Sequence, residues 1–286
     1  MDLSRIDQLN DENKHQQIYE HLAKVDDTNI HSDPEILWRF ARSCYFLSFP
    51  LDNKDPKKKQ LLDEGYVYAE KAYQLKNEDF EVIKCFAAVT GARTDFLGTK
   101  DKIEQGNLFK ELLDKALTMN AEEYTLLHMR GRFAFSVASL TWLERKAAAA
   151  FYSKPPEATF EEAIDDFLAV LSLQPDWLDN LFFLGKTYLL KKDKETAIKY
   201  LQRAVDSYQQ NENEQEPSMD FLAVLSLQPD WLDNLFFLGK TYLLKKDKET
   251  AIKYLQRAVD SYQQNENEQE PSMVTEAKAL LKKHCK

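Results

Sequence analysis

The feature that most constrains the fold of this chain is an internal copy. Residues Asp166 to Met219 recur letter for letter as Asp220 to Met273, a tandem block of 54 residues. Repeats that diverged long ago keep only their packing positions, so complete identity indicates a recent duplication, an engineered segment or a fault in the gene model. Whichever applies, the pattern inside the block determines what the copy can fold into.

Within the block, apolar residues recur at intervals of three and four on both sides of a short polar break. This is the pattern of two amphipathic helices joined by a tight turn. The small residues Gly185 and Ala197 predict the points at which the paired helices approach most closely. The spacing is typical of a tetratricopeptide repeat, whose hairpins stack because none can bury its apolar face alone. We therefore predict an all-α, tetratricopeptide-like helical hairpin solenoid.

The remainder of the chain supports this fold class. With 7 Gly and 9 Pro in 286 residues, it lacks the turn residues that an all-β domain requires. Weaker helix pairs are predicted ahead of the block, with a helical insert at Ser139 to Pro156 before the last partner helix. The pairs are Ile36–Leu47 with Lys57–Leu75, Phe80–Arg93 with Gly106–Met119, and Tyr124–Val137 with Thr159–Leu173.

Four segments are expected along the chain: an N-terminal helical segment at 1–32, a tetratricopeptide-like domain at 33–219, the identical copy at 220–273 and a C-terminal capping helix at 274–286. The copy begins in the middle of a helix, so Asp220 to Gln228 predicts only a short helix. The polar linker Gln209 to Ser218, repeated at Gln263 to Ser272, is expected to be mobile.

Composition and the start of the chain exclude several classes of function. The net charge of −10 argues against the broad basic surface that nucleic-acid binding uses. No apolar run is long enough for a transmembrane anchor, and Met1 to Asn13 lacks the features of a signal peptide. We expect a soluble, cytoplasmic protein in which Cys44, Cys85 and Cys285 are buried or spare thiols without a metal-binding spacing.

The sequence offers little that resembles catalytic chemistry. Five scattered histidines form no metal-binding or nucleophile-activating motif. Leu184 to Tyr188 reads LGKTY, but the glycine that a phosphate-binding loop requires is replaced by Asn180, and the stretch falls inside a predicted helix. We therefore predict no enzyme activity, no cofactor and no metal.

Basic residues on the predicted groove side are the candidate binding residues. In the repeat register, Arg132, Lys186 and Lys240 occupy equivalent positions, and Arg39 and Arg93 fall on the same side of their helices. Such a stripe predicts a site for an anionic peptide tail or a phosphate head group, held by charge-assisted hydrogen bonds. Ordinary surface ion pairs with nearby acidic residues are an alternative that the sequence leaves open.

Several motifs together resemble the regulator of microtubule dynamics family. They are Leu37–Arg39, Met129–Phe133, Leu140–Lys146, Pro155 and Leu184–Tyr188, in that order. The resemblance implies a non-enzymatic, tetratricopeptide-like domain that associates with microtubules and spindle poles and is needed for chromosome segregation. It also implies that some relatives carry a membrane anchor, sit at contacts between organelles and bind phospholipid.

Two functions follow as expectations. The first is an adaptor, microtubule- or spindle-associated, that binds tubulin, microtubules or an acidic peptide tail in its concave groove. The second is a phospholipid carrier in which Phe46, Phe86, Phe135 and Phe182 enclose acyl chains. The same four aromatic residues also fit a core between hairpins, which would leave no acyl-binding surface.

Overall fold

The computed structural model describes residues 3–24, 33–151, 156–213, 229–263 and 272–284. These residues form fourteen α-helices and one short 3₁₀ turn, and none of them lies in a strand. The predicted all-α, tetratricopeptide-like fold is therefore confirmed. The chain divides into two compact units, Met1–Ala158 and Thr159–Lys286. The domain boundaries expected from the sequence stay a prediction.

The first unit contains eight of these helices. They are α1 Leu3–Asp11, α2 His15–Leu22, α3 Pro34–Ser48, α4 Pro56–Leu75, α5 Phe80–Arg93, α6 Thr99–Met119, α7 Tyr124–Ala138 and α8 Trp142–Phe151, with the 3₁₀ turn Thr94–Phe96 between α5 and α6. Successive helices from α1 to α7 pack against each other, and α8 packs against α6. The predicted pairs in this part of the chain are present as α3 with α4 and α5 with α6.

Aspartate side chains set the start of three helices in this unit. Asp33, Asp55 and Asp79 each accept a hydrogen bond from a backbone N–H in the first turn of α3, α4 and α5. Pro34 and Pro56 occupy the first helical position, where a missing N–H costs nothing. These caps fix where α3 and α5 begin, and these helices carry the candidate residues Arg39 and Arg93 respectively.

A glycine allows α3 and α4 to lie close together. A Cβ atom added to Gly65 would lie 3.1 Å from Cys44 Cβ and 3.3 Å from the Ala41 carbonyl oxygen. Cys44 is fully buried at this contact. Cys85 on α5 is buried against α3, where its thiol donates to the Trp38 carbonyl oxygen at 3.3 Å. Burial raises the pKa of Cys85 to about 12, so this thiol stays protonated at neutral pH.

The second unit contains the other six helices. They are α9 Phe160–Leu173, α10 Leu178–Leu190, α11 Lys194–Asn213, α12 Pro229–Leu244, α13 Lys248–Gln263 and α14 Ser272–His284. The close approach predicted within the repeat is confirmed. A Cβ atom on Gly185 would lie 2.7 Å from Leu201 Cγ, and Ala197 is fully buried.

Two predicted boundaries differ from those in the structure. The first residues of the linker expected at Gln209 to Ser218 belong to α11, which continues to Asn213 because glutamine and glutamate are good helix formers. The insert helix begins at Trp142 rather than Leu140, since Thr141 and Glu144 exchange hydrogen bonds that cap its first turn. The short helix predicted for Asp220 to Gln228 lies outside the described residues.

Candidate functional site

Arg39 holds a carboxylate by a two-point contact. Its Nε donates to Asp7 Oδ1 at 2.8 Å and its Nη2 donates to Asp7 Oδ2 at 2.7 Å. The arginine lies on α3 and its side chain is 11% exposed, whereas the side chain of Asp7, on α1, is 41% exposed. This is the parallel fork geometry by which guanidinium groups recognise carboxylates. The predicted candidate Arg39 is therefore already engaged by the chain's own carboxylate.

Arg42 completes this arrangement, and the sequence prediction did not include it. The guanidinium groups of Arg39 and Arg42 lie over the Trp38 ring, 4.2 and 4.6 Å from its centroid. Arg42 Nη2 also donates to Asp7 Oδ1, at 3.3 Å. We call Trp38, Arg39 and Arg42 the arginine–tryptophan site. Arg42 follows Trp38 by four residues and Arg39 by three, spacings that bring helical side chains together, and both spacings were visible in the sequence.

Burial and ion pairing shape the charges of this site. Burial lowers the pKa of Arg42, and the attraction of Asp7 offsets this only in part. Burial acts on Arg39 in the same direction, but hydrogen bonds to Asp7 and Glu35 outweigh it and raise the pKa of Arg39. Hydrogen bonds from Arg39 lower the pKa of Asp7. Both arginines therefore remain cationic at neutral pH around a single bridging carboxylate.

Glu35 anchors the arginine–tryptophan site to the next helices. It accepts hydrogen bonds from Arg39 Nη1 at 2.8 Å, from Trp38 Nε1 at 3.1 Å and from Lys76 Nζ at 2.7 Å. The hydrogen bond from Lys76 is the largest of the effects that lower the pKa of Glu35 to about 2. Lys76 also pairs with Asp79 at the start of α5. The indole and the Arg39 side chain are thus held in place on α3.

His15 lies beside the site but adds no positive charge to it at neutral pH. Its ring stacks on Phe46 with centroids 4.2 Å apart. Burial, with a smaller contribution from Arg42, lowers the pKa of His15 to about 4. The protonated form would lie in an apolar contact and near a cation, so the neutral form is favoured.

The other two candidates of the first unit lie in different surroundings. Arg93 donates from Nε to Asp63 at 2.6 Å and lies 4.5 Å from the centroid of the Tyr66 ring. This repeats the combination of a carboxylate and an aromatic face with one arginine instead of two. Arg132 on α7 is exposed and lies close enough to Tyr45 to oppose the effect of burial, which raises the pKa of that tyrosine.

The two lysine candidates belong to the second unit. Lys186 Nζ lies 5.2 Å from the ring centroid of Phe182 on its own helix and 4.9 Å from that of Phe237 on α12. Lys240 Nζ lies 4.9 Å from the Phe236 ring and pairs with Glu276 on α14 at 2.9 Å. Both lysines are half-buried and are in contact with the helix that follows in the stack.

The aromatic residues expected to enclose acyl chains are buried. Phe46, Phe86, Phe135 and Phe182 are at most 7% exposed and pack among the helices. Their placement favours the interpretation that they form the core between hairpins. The LGKTY stretch lies within α10, as the sequence indicated.

In the described parts of the chain, no group of three or more His, Cys, Asp or Glu side chains is placed to hold a metal ion. Among the same residues, no helix combines the length and apolarity needed to cross a bilayer.

Comparison with known proteins identifies the family. A family model described as Regulator of microtubule dynamics protein 1-3 matches residues 2–220 and matches a second time at residues 215–285. The chain belongs to this family. The two matches meet where the 54-residue copy begins, as expected when one stretch of a family member occurs twice. The resemblance inferred from the motifs is thereby confirmed.

Relatives in this family match the chain over more than half of its length. The Regulator of microtubule dynamics protein 1 of Caenorhabditis elegans is 40% identical over 171 residues, covering 60% of this chain and 75% of that protein. The protein of the same name from Bos taurus is 30% identical over 205 residues, covering 71% of this chain and 64% of that protein. The match to the bovine relative thus covers less than two thirds of its length.

A solved structure supports the fold alone. The protein described as MamA 41-end from Desulfovibrio magneticus RS-1 superposes with a TM-score of 0.50 at 13% sequence identity, covering 80% of this chain and 97% of that one. At this identity, the similarity extends to the tetratricopeptide-like arrangement of helices and not to function.

Proposed function

We propose that this protein is a non-enzymatic, microtubule-associated adaptor that binds an acidic segment of its partner at the arginine–tryptophan site. Its relatives carry the name regulator of microtubule dynamics, which supports a microtubule-related role. The acidic tails of tubulin are the partner we expect. Trp38 supplies the flat surface on which Arg39 and Arg42 are held, and the two guanidinium groups supply the hydrogen-bond donors.

The observation that carries this proposal is the carboxylate already bound there. Asp7 makes a two-point contact to Arg39 and a longer contact to Arg42 while almost half of its side chain stays exposed to solvent. A glutamate or aspartate of a partner would need the same donors in the same positions. In this proposal Asp7 acts as an internal competitor that the partner's carboxylates displace.

The overall charge of the chain makes a local site necessary. A net charge of −10 repels acidic peptides at long range, so binding must depend on a few concentrated positive charges. Arg93 and Arg132 in the first unit are proposed to assist, while Lys186 and Lys240 remain candidates in the second unit. Because the contacts are between partly exposed charges, binding is expected to weaken steeply as salt is added.

We favour an acidic partner over a phospholipid on the evidence of burial. The four phenylalanines that an acyl-binding groove would use are at most 7% exposed. A carrier would have to open its core to admit a lipid chain, whereas the arginine–tryptophan site needs only the exchange of one carboxylate for another.

Co-sedimentation with microtubules across a range of salt concentrations tests the proposal. The double variant Arg39→Gln with Arg42→Gln is expected to bind at least tenfold more weakly, because even one fully engaged charged donor contributes roughly 1.5 to 3 kcal/mol. Asp7→Ala should act in the opposite direction and strengthen binding about twofold to fivefold, since it removes the internal competitor. A gain that appears only when microtubules are present cannot result from aggregation of the variant.

The matched control is Lys102→Gln, which removes one exposed positive charge of the same unit that pairs with Asp95. This control should bind as the unsubstituted chain does. The proposal is wrong if the double arginine variant, still helical by circular dichroism, binds like the control. It is also wrong if microtubules stripped of their acidic tails bind equally well.

A further inference from the structure

The hairpins of the two copies present the same apolar surface to the helices that pack after them. In the first copy, α10 and α11 contribute five side chains to one cluster, and in the second copy α12 and α13 contribute the five equivalent side chains to another. We call these the first and second docking surfaces. They consist of Phe182, Phe183, Ile198, Leu201 and Val205, and of Phe236, Phe237, Ile252, Leu255 and Val259.

Different helices cover these identical surfaces. The first is covered by α12, through Leu235 and Leu238, together with side chains of α13. The second is covered by α14, through Val274, Ala277 and Leu281. Because α12 and α14 have unrelated sequences, the docking surface accepts more than one helix.

The two covering helices nevertheless share a chemical feature. Each brings a carboxylate towards the lysine of the docking surface that it covers. Asp233 of α12 lies near enough to Lys186 for the lysine to act on its pKa, and Glu276 of α14 pairs with Lys240 at 2.9 Å. In both helices a leucine follows five positions after the carboxylate, at Leu238 and Leu281, and is buried against the surface.

The two carboxylates differ in exposure. Burial raises the pKa of Asp233 to about 6, so the charge of this residue is poorly accommodated. The side chain of Glu276 is 50% exposed and keeps its contact with Lys240 in a solvated position. A helix whose carboxylate stays at the rim of the surface therefore loses little solvation on docking.

We propose that each docking surface binds an amphipathic helix that carries a carboxylate and, five positions later, an aliphatic residue that becomes buried against the surface. In this chain α14 is the built-in occupant of the second docking surface. A helix of the same pattern from another molecule can take its place once α14 is released. Both docking surfaces lie in the second unit, and neither includes a residue of the arginine–tryptophan site.

The sequence before α14 would allow this helix to follow either copy. Ser272 and Met273 end the second copy, and the same two residues, Ser218 and Met219, end the first. Removing residues 220–273 therefore joins α14 to the first copy through a connection of identical sequence. Every residue that α14 meets on the second docking surface has its equivalent on the first.

Binding of a synthetic peptide to the full-length chain tests the proposal. The probe is a fluorescent peptide of residues 272–286, and the acceptor is a full-length Leu281→Asp variant, in which a charge in the apolar contact releases α14. We expect saturable binding to this variant and at least tenfold weaker binding to the unsubstituted chain, whose own α14 competes at high effective concentration.

Matched peptides test the two parts of the pattern. A peptide carrying Glu276→Gln should bind about twofold to fivefold more weakly, as expected for loss of a partly exposed ion pair. A peptide carrying Leu281→Asp should not bind. Equal binding of all three peptides, or no binding of the unsubstituted peptide to a variant that retains its helical circular dichroism spectrum, would overturn the proposal.

A second measurement applies if the Leu281→Asp variant does not fold. Double-mutant cycles in the full-length chain should show coupling between Lys240 and Glu276 and none between Lys186 and Glu276. In a chain lacking residues 220–273, Lys186 and Glu276 should become coupled, because α14 then covers the first docking surface. Absence of coupling in the shortened chain would contradict the transfer of α14.

Discussion

The two copies of the 54-residue block contain the same residues in different surroundings, and the interiors of their hairpins are alike. Tyr188 stacks on Tyr200 with ring centroids 5.8 Å apart, and Tyr242 stacks on Tyr254 at 5.7 Å. The interplanar angles are 17° and 6°. The geometry within a hairpin is therefore set by the sequence of that hairpin and changes little with its neighbours.

The contacts between hairpins differ where the neighbouring helix differs. Lys186 lies near enough to the partly buried Asp233 of α12 to act on its pKa, whereas the equivalent Lys240 pairs with the half-exposed Glu276 of α14. Identical residues thus acquire different electrostatic environments from the helix that covers them. The sequence of a repeat thus determines the packing inside its hairpin, whereas its position in the stack determines the contacts of its outer surface. Substitutions at equivalent positions of the two copies test this distinction.

The largest difference is expected from truncating the equivalent leucines. Leu201 is enclosed by side chains of both α12 and α13, whereas Leu255 is covered from outside by α14. We expect Leu201→Ala to lower the free energy of unfolding by about 3 to 5 kcal/mol and Leu255→Ala by about 2 to 3 kcal/mol, because a single covering helix can move into the cavity more easily. Urea denaturation of the two variants measures this, and equal losses would contradict the comparison.

Substitution of the equivalent glycines should give equal effects. A Cβ atom would lie 2.7 Å from Leu201 Cγ at Gly185 and 2.6 Å from Leu255 Cγ at Gly239, so each alanine forces its own hairpin apart. Gly185→Ala and Gly239→Ala are each expected to lower the free energy of unfolding by about 1 to 3 kcal/mol. A large difference between them in thermal denaturation would show that neighbouring hairpins adjust the internal geometry.

Asp233 is expected to make the free energy of unfolding depend on pH, and its equivalent in the other copy has a different neighbouring helix. Burial raises its pKa from 3.8 to about 6, so the folded chain binds this proton more tightly than the unfolded chain does. Stability from this residue therefore rises as the pH falls from about 7 to about 4, and the carboxylate destabilises the fold above pH 6. Asp233→Asn should increase the free energy of unfolding by about 1 to 2 kcal/mol at pH 7.5 and leave it unchanged at pH 4.

The control for this prediction is Asp260→Asn, which removes an exposed carboxylate of the same copy. Its effect should be small at both pH values. Urea denaturation at pH 4 and pH 7.5 distinguishes the outcomes, and a destabilised Asp233→Asn variant at pH 7.5 would show that attraction to Lys186 exceeds the effect of burial.

The smallest effect is expected from ion pairs that recur between successive hairpins. Lys191 pairs with Glu161 of α9 at 2.6 Å, and the equivalent Lys245 pairs with Glu195 of α11 at 2.7 Å. Each pair has one largely exposed partner, so Lys191→Ala and Lys245→Ala should each have very little effect on stability. Thermal denaturation at low and high salt measures this, and a clear fall in the unfolding temperature at either position would indicate that the pairs determine how hairpins stack.

Much of the fold could be predicted from the sequence because hairpin packing follows local spacing. The intervals of three and four residues placed α10 and α11, and the small residues Gly185 and Ala197 marked their close approach. The end of α11 was placed too early because a polar composition was equated with a linker, although the polar residues there extend a helix.

The candidate site was only partly predictable, since it depends on a contact distant in sequence. Arg39 was recognised because it falls on the predicted groove side of its helix, but its carboxylate comes from Asp7, 32 positions earlier and on a helix outside the repeat pattern. Arg42 was missed although it follows Trp38 by one helical turn. A tryptophan followed by arginines one and four residues later is a local signal that could have identified Arg42.

The buried hydrogen bond from Cys85 to the Trp38 carbonyl oxygen allows the local opening of the first unit to be measured by thiol labelling. A maleimide reacts with an accessible thiolate, and this sulfur is neither accessible nor ionised while α5 rests on α3. The rate at which Cys85 acquires the label, followed by peptide mass, will therefore report how often these two helices part. An acidic ligand bound at Arg39 and Arg42 over Trp38 should lower this labelling rate.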